Sequence, residues 1–212
     1  MVLLIPFGCS TVGGDIRGLE AENAEDRQEA AQGLGERLEQ GTNESDRARI
    51  IEALHRAIAD KSPVVRMQAV ASLGASGNAA SVGKILPLLD DESDWVRHAA
   101  IQALGALGAA DQGPVLGRVL REDPKAPCRI EAAKTIGRLK AEAASDACID
   151  ALSDREGDPS VRFAAHEALK AISGLDLPGR PEPWRKWRAD RTAPPTSPTG
   201  PAAPPAGEGS VP

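Results

Sequence analysis

The chain has no tyrosine, and aromatic residues make up 2% of its 212 positions. A core this poor in rings has to close on Ala, Leu, Ile and Val, which pack helix against helix, and Ala and Leu prefer helix to strand. Cysteine is scarce too. Cys9, Cys128 and Cys148 are odd in number and far apart, which excludes a disulfide framework, and without a CxxC pair there is no zinc signature. The chain also lacks an excess of positive charge: its formal net charge is -6. An acidic surface repels phosphate, so no nucleic-acid partner is expected. No GxxxxGK[ST] loop is present to cradle a nucleotide. The apolar run from Met1 to Phe7 is too short to cross a bilayer.

What is present is a repeat. Arg66, Arg97, Arg129 and Arg162 follow one another at 31, 32 and 33 residues. Three residues after each stands Ala69, Ala100, Ala132 or Ala165, and seven after stands Leu73, Leu104, Ile136 or Leu169. Gly74, Gly105 and Gly137 come next, with Lys170 in the last copy. Six residues before each arginine is an acid: Asp60, Asp91, Asp123 and Glu156. A degenerate copy lies upstream at Arg27, Ala30, Leu34 and Gly35. Agreement at so many offsets marks a repeated structural unit.

The offsets define the unit. Apolar residues at -1, +3 and +7 from the arginine fall on one stripe of a helix. Ser62-Pro63 and Asp158-Pro159 read as an N-cap followed by proline in the first helical position. The recurring glycine fits a helix C-terminus. Before each such helix lies a second apolar segment, at 44–59, 79–89, 109–120 and 142–152. Each repeat is therefore a helix, an acidic turn and a second helix. One such pair cannot bury its apolar face alone, whereas stacked pairs can. The expected fold is all-α, an α-solenoid of stacked antiparallel helix pairs. Cys128 takes the place of Val65, Val96 and Val161, and Cys148 that of Ile85 and Leu116, so both read as small buried apolar residues.

The ends differ from the middle. Residues 191–212 are rich in Pro, Ala, Gly, Ser and Thr without apolar period, a composition expected to stay disordered. At the other end, Gly8-Cys9-Ser10 follows an apolar run and resembles the close of a bacterial lipoprotein signal, with Cys9 as the lipidated residue. Pro6 and the lack of a basic start depart from such signals, so this reading implies a longer N-terminus. It places residues 1–23 as signal remnant and tether, the solenoid at 24–190, and the protein at the cell envelope, attached to a membrane through Cys9. The alternative is a cytoplasmic protein.

These residues resemble the HEAT repeat, in its short PBS-lyase HEAT-like form, most visibly from Asp91 through Gly105. The resemblance implies that the turn acids and helix arginines bridge neighbouring repeats as a structural ladder: Asp60, Arg66, Asp91, Arg97, Asp123, Arg129, Glu156 and Arg162. It also implies a Trp-containing cap, here Trp184 and Trp187, on the last pair. Some HEAT-like proteins are di-iron hydroxylases that resemble deoxyhypusine hydroxylase and carry His-Glu pairs just after the helix arginine. Here His98 is followed by Ala99, His166-Glu167 stands at +4, and His55 has no Glu after it. Metal ligands must converge in sufficient number, so no metal, no catalytic residue and no cofactor is expected.

Opposite the core stripe of the second helices, offsets -2, +1 and +5 bring out Trp95, then Met67, His98, Ile130 and Phe163, then Gln102, Lys134 and Glu167. In HEAT solenoids the second helices line the concave surface, where such residues form a partner-binding track; otherwise the +1 residues pack against the next repeat. The sequence-level expectation is a non-enzymatic protein–protein interaction scaffold holding a protein or peptide partner. The alternatives are an enzyme or accessory of bilin-lyase type and, with less support, a nucleic-acid binder drawing on Arg185, Lys186 and Arg188.

Overall fold

A computed structural model describes residues 11–154 and 157–192. Cys9, Glu156 and the stretch from 193 onward lie outside them. The described residues form the helices α1 (Val12–Gly18), α2 (Ala24–Gln40), α3 (Glu44–Ala57), α4 (Pro63–Ala75), α5 (Val82–Ile85), α6 (Asp94–Ala106), α7 (Gly113–Glu122), α8 (Ala126–Leu139), α9 (Ser145–Ser153), α10 (Pro159–Ser173) and α11 (Pro181–Thr192), with no strand among them. The architecture is an α-solenoid. Second helices α2, α4, α6, α8 and α10 stack side by side in that order, and α7, α9 and α11 continue the other layer.

Chain chemistry sets each element. Pro63, Pro127 and Pro159 occupy first-turn positions, where a missing N–H costs nothing. Asp158 caps α10 by accepting from the Ser160 N–H, whereas Ser62 caps α4 without a side-chain bond. Pro87 falls where the third pair needs a continuous first helix. It cannot donate to the preceding turn, so α5 is one turn between two 3₁₀ stretches, Ala79–Ser81 and Leu86–Asp90.

The core runs along the stack. Ala69, Ala100, Ala132 and Ala165 are fully buried, as are Leu73, Leu104, Ile136 and Leu169. Each buried Leu or Ile contributes about 1.5–3 kcal/mol. The recurring glycine has another role than the one expected. A Cβ on Gly74 would stand 2.8 Å from the Ala103 Cα, and one on Gly137 would stand 2.9 Å from the Ala168 Cα. These glycines let neighbouring second helices touch backbone to side chain. The left-handed residues that follow the helices come about three positions later, at Gly77, Gly108 and Lys140.

Both ends of the solenoid need correction. Residues 12–18 are not a tether. Val12, Ile16 and Leu19 share one helical face and pack on the core, Asp15 pairs with Arg37, and Gly18 meets Ala30 of α2 so closely that a Cβ would lie 2.8 Å away. The helix completes the first pair, so the solenoid begins before residue 24. At the other end α11 extends through Thr192, past the expected boundary at 190. Its Trp184 is fully buried and donates from Nε1 to the Pro178 carbonyl at 2.9 Å, while Arg191 lies over the Trp187 ring at 5.6 Å.

Candidate functional site

Two features repeat once per helix pair: a row of ion pairs within the stack and a row of side chains on the second-helix face. The first begins where the turn acid is brought beside the arginine of the preceding repeat. Arg27 donates from Nε and Nη2 to Asp60 at 2.7 and 2.9 Å, Arg66 to Asp91 at 2.8 and 2.7 Å, and Arg97 to Asp123 at 2.8 and 3.1 Å. The remaining Nη1 of Arg66 donates to the Asp60 carbonyl at 3.0 Å, that of Arg97 to the Asp91 carbonyl at 2.9 Å, and that of Arg129 to the Asp123 carbonyl at 2.7 Å. One aspartate thus serves two arginines, through its carboxylate and its carbonyl. Each carboxylate also accepts the N–H two residues on, from Ser62, Ser93 or Lys125. The Arg27 rung was not among the expected pairs, although Arg27 matches the repeat and only its departure in spacing hid it. Arg162 donates from Nη1 to the carbonyls of Asp154 and Gly157, and Glu156 lies outside the described residues.

The ladder shifts its own acidities. Hydrogen bonding from Arg27 holds the Asp60 carboxyl below the usual carboxylate value, against the opposing effect of burial. At Asp91 and Asp123 burial pushes the carboxyl up, but the bonds from Arg66 or Arg97, with the N–H of Ser93 or Lys125, outweigh it. The arginines are raised in turn. A charge recurring at three successive junctions and satisfied there by its neighbours is suited to fixing the stack's register.

The second row faces outward. Trp95 and Phe163 are 72% and 67% exposed, and Gln102, Lys134 and Glu167 are exposed as well. Met67, His98 and Ile130 are only partly so, and Met67 and Ile130 pack against the core, which removes them as fully presented contacts. The structure brings four of the eight residues together. Ile130 and Lys134 of α8 face Phe163 and Glu167 of α10 across a groove of about 650 Å³. Gly137, Ala164, Ala168 and Ala171 line it as well, with Arg138 and Ser160. Met67, Trp95, His98 and Gln102 do not line it. Sequence reading missed the alanine lining because alanine at helical spacing looks like ordinary core. It also missed Val64, 42% exposed at the same offset as Trp95.

The two described thiols are inert by position: burial pushes Cys128 up to about 11 and Cys148 up to about 12. The histidines are engaged separately. His166 donates from Nε2 to the Leu177 carbonyl at 2.7 Å and meets Trp184 edge-on, while His55 Nε2 lies 2.9 Å from the Ser81 hydroxyl. Among the described residues no three His, Cys, Asp or Glu side chains gather as a ligand set. The described residues therefore do not fit a di-iron centre built from His-Glu pairs. No described helix is long and apolar enough to cross a membrane.

Fold and ladder together define a repeat protein of stacked helix pairs. The family model for HEAT repeats matches at residues 16–105, 51–133 and 113–181, and the chain belongs to the HEAT-repeat family. It is similar to the deoxyhypusine hydroxylase of Schizosaccharomyces pombe, 33% identical over 94 residues covering 43% of this chain and 30% of that protein. The deoxyhypusine hydroxylase of Eremothecium gossypii is 32% identical over 121 residues, 56% of this chain and 37% of that one. The chain thus spans well under half the length of these relatives. The crystal structure of the Escherichia coli protein YibA superposes with a TM-score of 0.62 at 25% identity, over 76% of this chain and 58% of that one.

These relatives correct the functional expectation. A chain with no enzymatic role was expected, because the ladder residues repeat and the histidines do not pair with glutamates. The matching proteins are hydroxylases by name, which overturns the non-enzymatic scaffold. Neither the recurring ladder nor the unpaired histidines bear on that likeness, which lies in the repeats.

Proposed function

We propose that this chain supplies polypeptide recognition to an enzymatic step, holding the protein acted upon along its second-helix face. The observation that carries the reading is Phe163, 67% exposed beside an apolar groove between α8 and α10. Aromatic side chains beside preformed apolar clefts are the usual anchors of protein contacts. Trp95, two pairs earlier on the same face, extends the track. The hydroxylase relatives support placing this recognition in an enzymatic setting. The 31 to 33-residue spacing supports assigning the repeats to the short PBS-lyase HEAT-like type.

The test is site-specific photocrosslinking in the native host. A photoreactive residue replaces Gln102 on the second-helix face or Arg56 on α3, both exposed. The reading expects discrete protein adducts from position 102 and none of the same mass from position 56. The same adducts from both positions, or none from 102, would overturn it.

A further inference from the structure

The groove between α8 and α10 has a direction and a sign. Its α8 side presents Ile130, Lys134 and Arg138, four residues apart on one helical row. Its α10 side presents Phe163, Glu167 and Ala171, likewise four apart. At a rise of 1.5 Å per residue each row is about 12 Å long, so the groove runs along the helices. Lys134 is exposed and has no ion pair among the described residues. Arg138 reaches the Thr135 hydroxyl at 2.8 Å and Glu131 at 3.5 Å, yet its side chain stays half-exposed. Glu167, on the other helix, is answered by Lys170 at 3.4 Å. One side of the groove is therefore cationic in a chain whose net charge is -6.

The lining also limits which backbone it accepts. The two helices touch where a Cβ on Gly137 would stand 2.9 Å from the Ala168 Cα. Gly137, Ala164 and Ala168 carry no polar side-chain atom, and backbone groups inside a helix are spent on that helix. An extended strand pressed there would bury N–H and C=O groups with few partners. A helix satisfies its own, and it offers side chains three and four residues apart, the spacing at which both rows of the groove recur.

We propose that the polypeptide recognised by this face presents an amphipathic α-helix that lies along the α8–α10 groove, with apolar residues on Phe163 and Ile130 and carboxylates one turn apart facing Lys134 and Arg138. This rests on reading the second-helix face as a polypeptide-binding surface, and it names what that surface takes. Exposed cations steer approach and choice of partner more than they add affinity. Charge thus sets which helix binds, and Phe163 sets how tightly.

The experiment selects phage-displayed helices on the full chain. The probe is an alanine-rich helical frame with leucines at i, i+3 and i+7 and the flanking positions randomised. The proposal predicts several-fold enrichment of Asp and Glu on one flank of the leucine stripe, over the background selected on Phe163→Ala. With Lys134→Glu as bait that flank should switch to Lys and Arg. Lys134 is exposed, so this variant should keep the parent's melting temperature. A second frame with a central proline, which breaks the helix, should yield no enrichment. Equal enrichment from the proline frame, an acidic preference that Lys134→Glu leaves in place, or no charge preference at all overturns the proposal. The adducts from position 102 depend on none of these outcomes, so the two readings fail separately.

Discussion

Arg97 grips the carboxylate of Asp123 through Nε at 2.8 Å and Nη2 at 3.1 Å, while its Nη1 holds the carbonyl of Asp91 in its own turn at 2.9 Å. One guanidinium thus fixes a turn, a helix and the next repeat together. Removing it strands Asp123, whose side chain is 3% exposed, without its counter-charge. Arg97→Ala should cost about 3–5 kcal/mol. Arg97→Lys should restore only part of this, because an ammonium cannot reproduce the planar fork. Urea unfolding midpoints measure both. An Arg97→Lys midpoint equal to the parent's would mean that charge alone, without the fork, holds the junction.

The same pairs set an acid limit. The folded-state pKa values of Asp60, Asp91 and Asp123 lie below their ordinary values. Their contribution is therefore complete above the unfolded carboxylate value near ~3.9 and is lost as pH falls through the depressed folded values. Thermal melts followed by circular dichroism should show the melting temperature falling steeply below about pH 4. Asp91→Asn should lower stability at neutral pH and make that fall shallower. An unchanged slope would remove Asp91 from the acid response.

Two glycines should respond oppositely to alanine. Gly33 in α2 has nothing within 4 Å of the space a Cβ would fill, so Gly33→Ala gains helix propensity, about 1 kcal/mol. Gly74 has the Ala103 Cα 2.8 Å from that position. Gly74→Ala should cost about 1–3 kcal/mol by overpacking, despite the same propensity gain. Chemical denaturation of the two variants reads the sign directly. Destabilisation by both would show that α2 is packed on a side that the structure leaves open.

The fold was legible in the sequence because the repeat holds its stripe in register. Ala100 and Leu104 sit where Ala69 and Leu73 do, and a helix with that stripe can be buried in only one way. The role of Gly74 and Gly137 was not legible. A glycine near a helix end fits both a cap and a close approach, and only the neighbouring helix decides between them. The helix α1 was hidden by its brevity and its glycines, since seven residues give less than two full periods. The groove was hidden because alanine lines it, and the exposure of alanine depends on how far apart α8 and α10 stand. Of the site, Phe163 and Trp95 could be read because large rings on the polar side of an amphipathic helix break its pattern.

The account rests most on Phe163 as an anchor for a bound polypeptide. The direct measurement is the dissociation constant, by calorimetric titration, of the protein crosslinked at position 102, for the parent chain and for Phe163→Ala, with melting temperatures recorded alongside. Phe163 is 67% exposed in the unbound chain, so its loss should leave the melting temperature in place. The account predicts affinity weakened by about 30-fold or more, the roughly 2 kcal/mol of an interface anchor. An unchanged dissociation constant at an unchanged melting temperature would contradict it.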